Sequence, residues 1–263
     1  MNHVASLYKM LNTGKPRMSL FGLVKKGVTL AAAGVMTVAL SGCQGIVSSQ
    51  SGSQIRIIDA SPDAPGLDIY LNTSAVAYNL GFGTVTSYVP TDPGTYNISA
   101  AQAGTKQTLT TSKATFVTGT QYTILIGNVA ASLSQLVLKD QSQAAPSGQI
   151  ALRFIDQATR IAAQDIYLVP AGQKLTAITP VYTNITFSTN TGYLNIPTGT
   201  YTLVMVPTGT VPASDTVTTY SGPQVTYTGG SATTIIMIDQ QIVTTPGLQV
   251  ITAPDYTSPT ATS

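Results

Sequence analysis

Aspartate is the only acidic residue in this chain: there are ten, and no glutamate. Asp59, Asp63 and Asp68 fall together around the loop Ser61-Pro62-Asp63-Ala64-Pro65-Gly66. A hard cation such as Ca²⁺ needs several oxygen ligands, and a proline-rich loop can present them, but the spacing is not that of an EF-hand. The simpler expectation is that Asp59 and Asp63 accept hydrogen bonds from turn amides. Two aspartates facing each other across a cleft, roughly 5–10 Å apart, could act on a glycan as acid and base. Other catalytic chemistry is poorly supplied. The single histidine is His3, the single cysteine is Cys43, and there is no tryptophan. Beyond Cys43 the chain therefore has no imidazole and no thiol for Ser-His-Asp or Cys-His catalysis, and no His/Cys set for zinc. The sequence predicts no catalytic, metal-binding or cofactor-binding residues.

The chemistry that is legible belongs to Cys43. Leu40-Ser41-Gly42-Cys43 resembles a bacterial lipobox. Before it come Lys25 and Lys26 and then the uncharged run Gly27 to Leu40. A positive n-region, a short apolar h-region and a small-residue cleavage site make a secretory signal. The run is shorter than the roughly 20 residues that span a bilayer. Residues 1–42 are thus expected to be a lipoprotein signal peptide with a signal helix, with Met18 a more typical start than Met1. Cys43 would become the lipidated first residue. Two or three acyl chains hold a protein far more firmly than one, each buried CH₂ adding roughly 0.8 kcal/mol. Gln44, in place of an aspartate, points to the outer rather than the inner membrane. Residues 43–54 read as a flexible Ser/Gly/Gln tether reaching roughly 18 Å.

Removing the signal changes the charge. The whole chain is +2, but Lys9, Lys15, Arg17, Lys25 and Lys26 precede Cys43. The remainder carries seven basic and ten acidic residues, about −3, so a basic footprint for nucleic acid is absent. Threonine, valine, isoleucine and tyrosine favour strands, and 23 glycines and 15 prolines supply turns.

From Ile55 the chain reads as short strands between turns. Strands are predicted at Ile55–Asp59, Leu67–Leu71, Phe82–Pro90, Gly94–Ala100, Thr115–Phe116, Gln121–Ile126 and Gln135–Lys139, with one helical turn near Ala130–Leu133. In the fourth, Tyr96, Ile98 and Ala100 alternate with polar residues, the period of a half-buried strand. The chain then repeats itself. Arg56, Asp59, Asp68, Ile69, Tyr70 and Leu71 recur as Arg153, Asp156, Asp165, Ile166, Tyr167 and Leu168, 97 residues on. Phe82, Tyr88 and Gly94-Thr95-Tyr96 recur 105 residues on, at Phe187, Tyr193 and Gly199-Thr200-Tyr201. Phe116, Gly119 and Thr123 match Tyr227, Gly230 and Thr234, 111 residues on. The offset grows as loops lengthen and strands do not. Two β domains follow, 55–140 and 149–252, with a linker at 141–148 and a disordered tail at 253–263. The expected fold is all-β: two tandem β-sandwiches, immunoglobulin-like or transthyretin-like, with a barrel as the alternative. Arg56 with Asp68, and Arg153 with Asp165, are expected as cross-strand ion pairs. Tyr96 and Tyr201 are expected in the cores, and the recurring tyrosines could also stack on sugars.

Ile55-Arg56-Ile57-Ile58-Asp59-Ala60-Ser61-Pro62-Asp63-Ala64-Pro65, Leu67-Asp68-Ile69-Tyr70, Phe82-Gly83 and Pro93-Gly94-Thr95-Tyr96 resemble the domain of unknown function 4397 family. The resemblance covers both copies, but in the second Gln157-Ala158-Thr159-Arg160 replaces the Ser-Pro-Asp-Ala core. The family usually has His or Asn where Asp59 stands. The resemblance implies an extracytoplasmic β domain, often in tandem in secreted and surface-anchored bacterial proteins, and no reaction. The sequence thus points to a lipid-anchored envelope protein acting as a non-enzymatic binding or structural module. Its expected partners are the membrane, through the lipid on Cys43, and an envelope protein or polysaccharide. The alternatives are an aspartate-dependent glycan enzyme and a subunit of an envelope assembly.

Overall fold

The computed structural model describes residues 52–241 and 247–257, all within one compact unit. The expected signal helix, Cys43 and the tether as far as Ser51 lie outside the described residues. No helix among the described residues is long and apolar enough to cross a membrane.

Strands β1 (Ser53–Asp59), β2 (Leu67–Leu71), β3 (Ser74–Leu80), β4 (Val89–Thr91), β5 (Gly94–Gln102), β6 (Thr108–Phe116), β7 (Gln121–Gly127) and β8 (Ser134–Lys139) form the first sandwich. Its two sheets run β4-β1-β7-β8 and β3-β2-β5-β6. The second is built from β9 (Gln149–Asp156), β10 (Gln164–Pro170), β11 (Tyr182–Ile185), β12 (Asn190–Pro197), β13 (Gly199–Pro207), β14 (Tyr220–Tyr227), β15 (Ala232–Asp239) and β16 (Leu248–Tyr256). Its sheets, β12-β9-β15-β16 and β11-β10-β13-β14, are open, and neither sandwich is a barrel. The only regular turns of helix among the described residues are 3₁₀, at Ala130–Ser132, where one was expected, and at Leu175–Ala177.

Period-two alternation assigns each side chain its layer. In β1, Ile55 and Ile57 enter the first core beside Leu67, Ile69, Ile98 and Ile124. In β9, Leu152 and Phe154 enter the second core beside Ile166, Met205 and Ile235. Their neighbours in sequence face the other way and are also buried. Ile58, Leu125 and Leu138 of the first sandwich pack on Ile155, Ile236 and Ile251 of the second. The sheets holding β1 and β9 thus lie back to back, and the protein has four β layers. Each fully buried Ile or Leu contributes about 1.5–3 kcal/mol. The centre of each of these two sheets is a parallel pair, β1 with β7 and β9 with β15. Parallel strands buried on both faces read as near-continuous apolar runs, which is how Ile55–Ile58 and Ile235–Ile238 appear.

Three expectations need correction. Phe82–Pro90 is mostly not a strand: Gly83 turns the chain at φ +79°, Val85 makes one bridge to Ile58, and only β4 is regular. The strand missed is β3, an edge strand of small residues with Ser74, Tyr78 and Asn79 exposed, which carries little alternation. The supposed tail from residue 253 begins inside β16, where Ala253 and Asp255 are buried. Pro254 does not end the strand, because β16 is an edge strand, where a missing N–H is tolerated. Residues 258–263 lie outside the described residues. Third, the ion pairs Arg56–Asp68 and Arg153–Asp165 do not form. Each arginine lies on the back-to-back sheet of its sandwich and each aspartate on the opposite sheet. The connection at 141–148 also packs, with Ala145 buried against Ala151 and Ala232.

Candidate functional site

Arg56 of β1 and Arg153 of β9 point into the back-to-back layer, on the same strand face as Ile58 and Ile155. Arg56 and Arg153 are each 2% exposed. The Arg56 Nε donates to Thr123 Oγ1 at 2.8 Å, its Nη1 to the Pro254 carbonyl at 2.8 Å, and its Nη2 to Asp255 Oδ1. Arg153 does the same in reverse. Its Nε donates to Thr234 Oγ1 at 2.9 Å, its Nη1 to the Lys139 carbonyl at 3.1 Å, and its Nη2 to Asp140 Oδ1 at 2.5 Å. Each arginine therefore takes a threonine from its own sandwich and a carboxylate and a carbonyl from the other.

The carboxylates are completed just as symmetrically. Asp140 Oδ2 accepts from Thr123 Oγ1 at 2.6 Å and from the Tyr88 hydroxyl at 2.8 Å. Asp255 Oδ2 accepts from Thr234 Oγ1 at 2.7 Å and from the Tyr193 hydroxyl at 2.9 Å. The guanidiniums lie over the tyrosine rings, Arg56 at 4.8 Å from Tyr88 and Arg153 at 4.6 Å from Tyr193, within cation–π range. Arg153 Nη2 is 3.9 Å from Asp255 Oδ1, which links the two sets. Burial pushes the Asp255 carboxyl up, with the Arg56 guanidinium opposing it. Burial also pushes up the phenols of Tyr88 and Tyr193, reinforced by the carboxylates they donate to. A buried ion pair persists only when its remaining lone pairs and protons are satisfied, and here every member of the network has partners.

The other aspartates are similarly committed. Asp59 accepts from the Ser61 amide at 3.0 Å, the turn bond expected of it, whereas Asp63 accepts from the Ala130 amide at 2.7 Å, 67 residues away rather than in its own turn. Asp68 holds the amides of Asn79 and Gly104. Asp165 holds the Asn184 amide, the Thr208 hydroxyl and the Gly209 amide. Asp156 takes the Ala158 amide at 2.8 Å. Asp239 takes both the amide and the hydroxyl of Thr159. Burial pushes Asp59 and Asp156 up to about 6. Asp63 and Arg160, equivalent positions in the two copies, line a hollow of about 180 Å³ with Pro62 and Val129. Arg160 lies 3.6 Å from Asp239. The described residues contain no group of three or more His, Cys, Asp or Glu that could hold a metal.

Among the recurring tyrosines, Tyr96 and Tyr201 are half-buried against their cores, each with its hydroxyl on a backbone carbonyl four residues back, Asp92 and Pro197 respectively. Tyr88 and Tyr193 turn out to belong to the buried network. Sequence reasoning did not single out Asp140 and Asp255, its two carboxylates. The signal was present: they recur 115 residues apart, the next step in the growing offset.

Residues 53–167 match the family model described as "Domain of unknown function (DUF4397)", so the likeness seen in the sequence holds over that stretch. No curated protein is similar in sequence. Among solved structures, one titled "Alpha-glucan binding by a streptococcal virulence factor" is 9% identical, with 70% of this chain and 92% of that one covered at a TM-score of 0.24. The Bacillus anthracis TIE protein is 10% identical, with 78% and 44% covered at a TM-score of 0.23. A family CBM26 module, CBMbc of Eubacterium rectale Amy13K in complex with maltoheptaose, is 12% identical, with 77% and 98% covered at a TM-score of 0.22. At these scores the likenesses have no bearing on what this chain binds.

Proposed function

We propose that this chain is a non-enzymatic module of the bacterial cell envelope. A lipid on Cys43 anchors it outside the cytoplasm, in the outer membrane, and it presents its sandwiches to a polysaccharide or an envelope protein. One observation carries the non-enzymatic part. Eight of the ten aspartates hold turn amides, hydroxyls or guanidiniums. The other two, Asp92 and Asp215, are exposed in loops of different sandwiches. A glycan-cleaving site needs one free acid and one free base flanking the same bond, and the committed carboxylates leave no such pair. The anchor is supported by Leu40-Ser41-Gly42-Cys43 and the charge-then-apolar segment before it.

The test combines anchoring and turnover. Cells grown with an alkyne fatty acid are fractionated, comparing wild type with Cys43→Ala. The purified protein is then incubated with envelope polysaccharide and assayed for binding and for new reducing ends. The expected result is a labelled, membrane-bound wild type, an unlabelled and released variant, and binding without cleavage. Label retained on Cys43→Ala would refute the anchor, and steady release of reducing ends would refute the non-enzymatic assignment.

A further inference from the structure

The two sandwiches are copies, so a difference in shape between them is informative. In the first, the gap between edge strands β6 and β8 is closed. The Ser112 hydroxyl donates to the Gln135 side-chain oxygen at 2.6 Å, and the Gln135 amide donates to the Thr110 carbonyl at 3.0 Å. Nearby, the Tyr122 ring packs 5.0 Å from Phe116, and its hydroxyl accepts from the Val117 amide at 3.2 Å.

In the second sandwich these parts are replaced. Following the offsets of 111 and 115, Pro223 stands for Ser112, Val250 for Gln135 and Thr233 for Tyr122. Neither Pro223 nor Val250 has a side-chain donor or acceptor, so the hydrogen-bonded closure cannot form. Thr233 also leaves open the space that a tyrosine ring fills in the first copy. Thr233 lines a groove of about 290 Å³ between β14 and β16, together with Tyr227, Ser231, Thr252, Pro254 and Tyr256, and no charged residue contributes to it. Tyr227 stands where the first copy has Phe116, which places a hydroxyl here that the closed copy lacks. Among the described residues that hydroxyl has no hydrogen-bond partner, and burial pushes the phenol up. The hydroxyl is thus available to a ligand as donor and acceptor.

We propose that this open edge of the second sandwich binds the rings of a neutral polysaccharide. The proposal rests on the binding-module function above and gives it a site and a ligand class. A tyrosine offers an apolar face for a sugar ring and a hydroxyl for its polar rim. The surrounding threonine and serine hydroxyls both donate and accept, matching a ligand made of hydroxyls. The uncharged lining disfavours a polyanion. Docking of a peptide as an added strand is opposed by Pro223 in β14 and Pro254 in β16, which remove ladder donors from the two edges.

The test is affinity electrophoresis of the purified full-length protein through gels containing a neutral glucan, a neutral mannan or a polyuronate. Thr233→Tyr restores the residue of the closed copy, and Tyr227→Phe removes one hydroxyl while keeping the ring. Melting temperatures check that both variants fold, and Tyr227→Phe keeps the test intact if the larger side chain is not tolerated. The expected result is retardation of wild type by a neutral polysaccharide and not by the polyuronate, with an affinity about tenfold weaker or worse in Thr233→Tyr and a few-fold weaker in Tyr227→Phe. Equal retardation of wild type and both variants would overturn this site while leaving the binding module standing. Retardation by no neutral polysaccharide would overturn the ligand class, and with it the polysaccharide arm of the proposed function. Displacement of the sugar by an extended peptide that Thr233→Tyr no longer binds would reassign the groove to a protein partner.

Discussion

Changing Arg153 to methionine removes one guanidinium from the layer between the sandwiches while keeping most of its apolar stem. Asp140, 4% exposed, then loses its cation and keeps only the hydroxyls of Thr123 and Tyr88. Thr234 loses two donors, and the Lys139 carbonyl loses its arginine. Breaking a buried pair by deleting one partner costs about 3–5 kcal/mol, because the survivor stays buried and charged. For a body of this size, each kcal/mol shifts the melting temperature by about 2–4 °C, so a fall of about 6–20 °C is expected. Far-UV circular dichroism in urea is the assay of choice, since the chain has no tryptophan to follow. Adding Asp140→Asn to Arg153→Met removes the stranded charge, and the double variant should be about 1–3 kcal/mol better than the sum of the single losses. Arg56→Met, alone and with Asp255→Asn, should show the same signs with a smaller single loss, because Asp255 keeps Arg153 at 3.9 Å whereas Asp140 has no second cation. A single loss under about 1 kcal/mol, the value of an exposed ion pair, would refute this reasoning. Two separate unfolding transitions in the wild type would refute it as well, because they would mean that the layer does not couple the sandwiches.

Two further predictions concern other buried positions. Asp59 and Asp156, pushed up to about 6 from an ordinary 3.8, bind more protons folded than unfolded. Their contribution is fully present below pH 4 and is lost as pH rises through about 6. Asp255 shifts in the same direction. Between pH 4 and 7 the melting temperature should therefore decline from these groups, and Asp59→Asn/Asp156→Asn should flatten that slope; an unchanged slope would assign it elsewhere. At Gly127 an added Cβ would collide with the buried Gln157 side chain from the other sandwich. Gly127→Ala should cost about 1–3 kcal/mol by overpacking, measured by urea titration, whereas Gly104→Ala meets nothing and should show only the strain of its positive φ.

The all-β class, the two copies and most strand positions were legible in the sequence because they rest on local signals. Strand residues alternate with period two, turns concentrate glycine and proline, and the copies keep their order while the offset grows. Asp59 was legible too, as its partner amide, Ser61, lies two residues on in the same turn; Asp63 was not, since its partner amide, Ala130, is 67 residues away. The partners of Arg56 and Arg153 were not. An arginine and an aspartate twelve residues apart look like a pair, but the chain between β1 and β2 passes from one sheet to the other. That crossing puts Arg56 and Asp68 in different layers and leaves Arg56 beside Asp255, 199 residues away. Periodicity states that a side chain alternates, not which surface it meets, and in β1 and β9 both surfaces are buried. The packing of two copies back to back decided that Asp140 and Asp255 hold the sandwiches together. It also decided that β16 extends through Pro254 to Tyr256, past the expected boundary at residue 252. The groove beside Tyr227 likewise required the structure, because the exchange of Tyr122 for Thr233 opens space only where two sheet edges face each other.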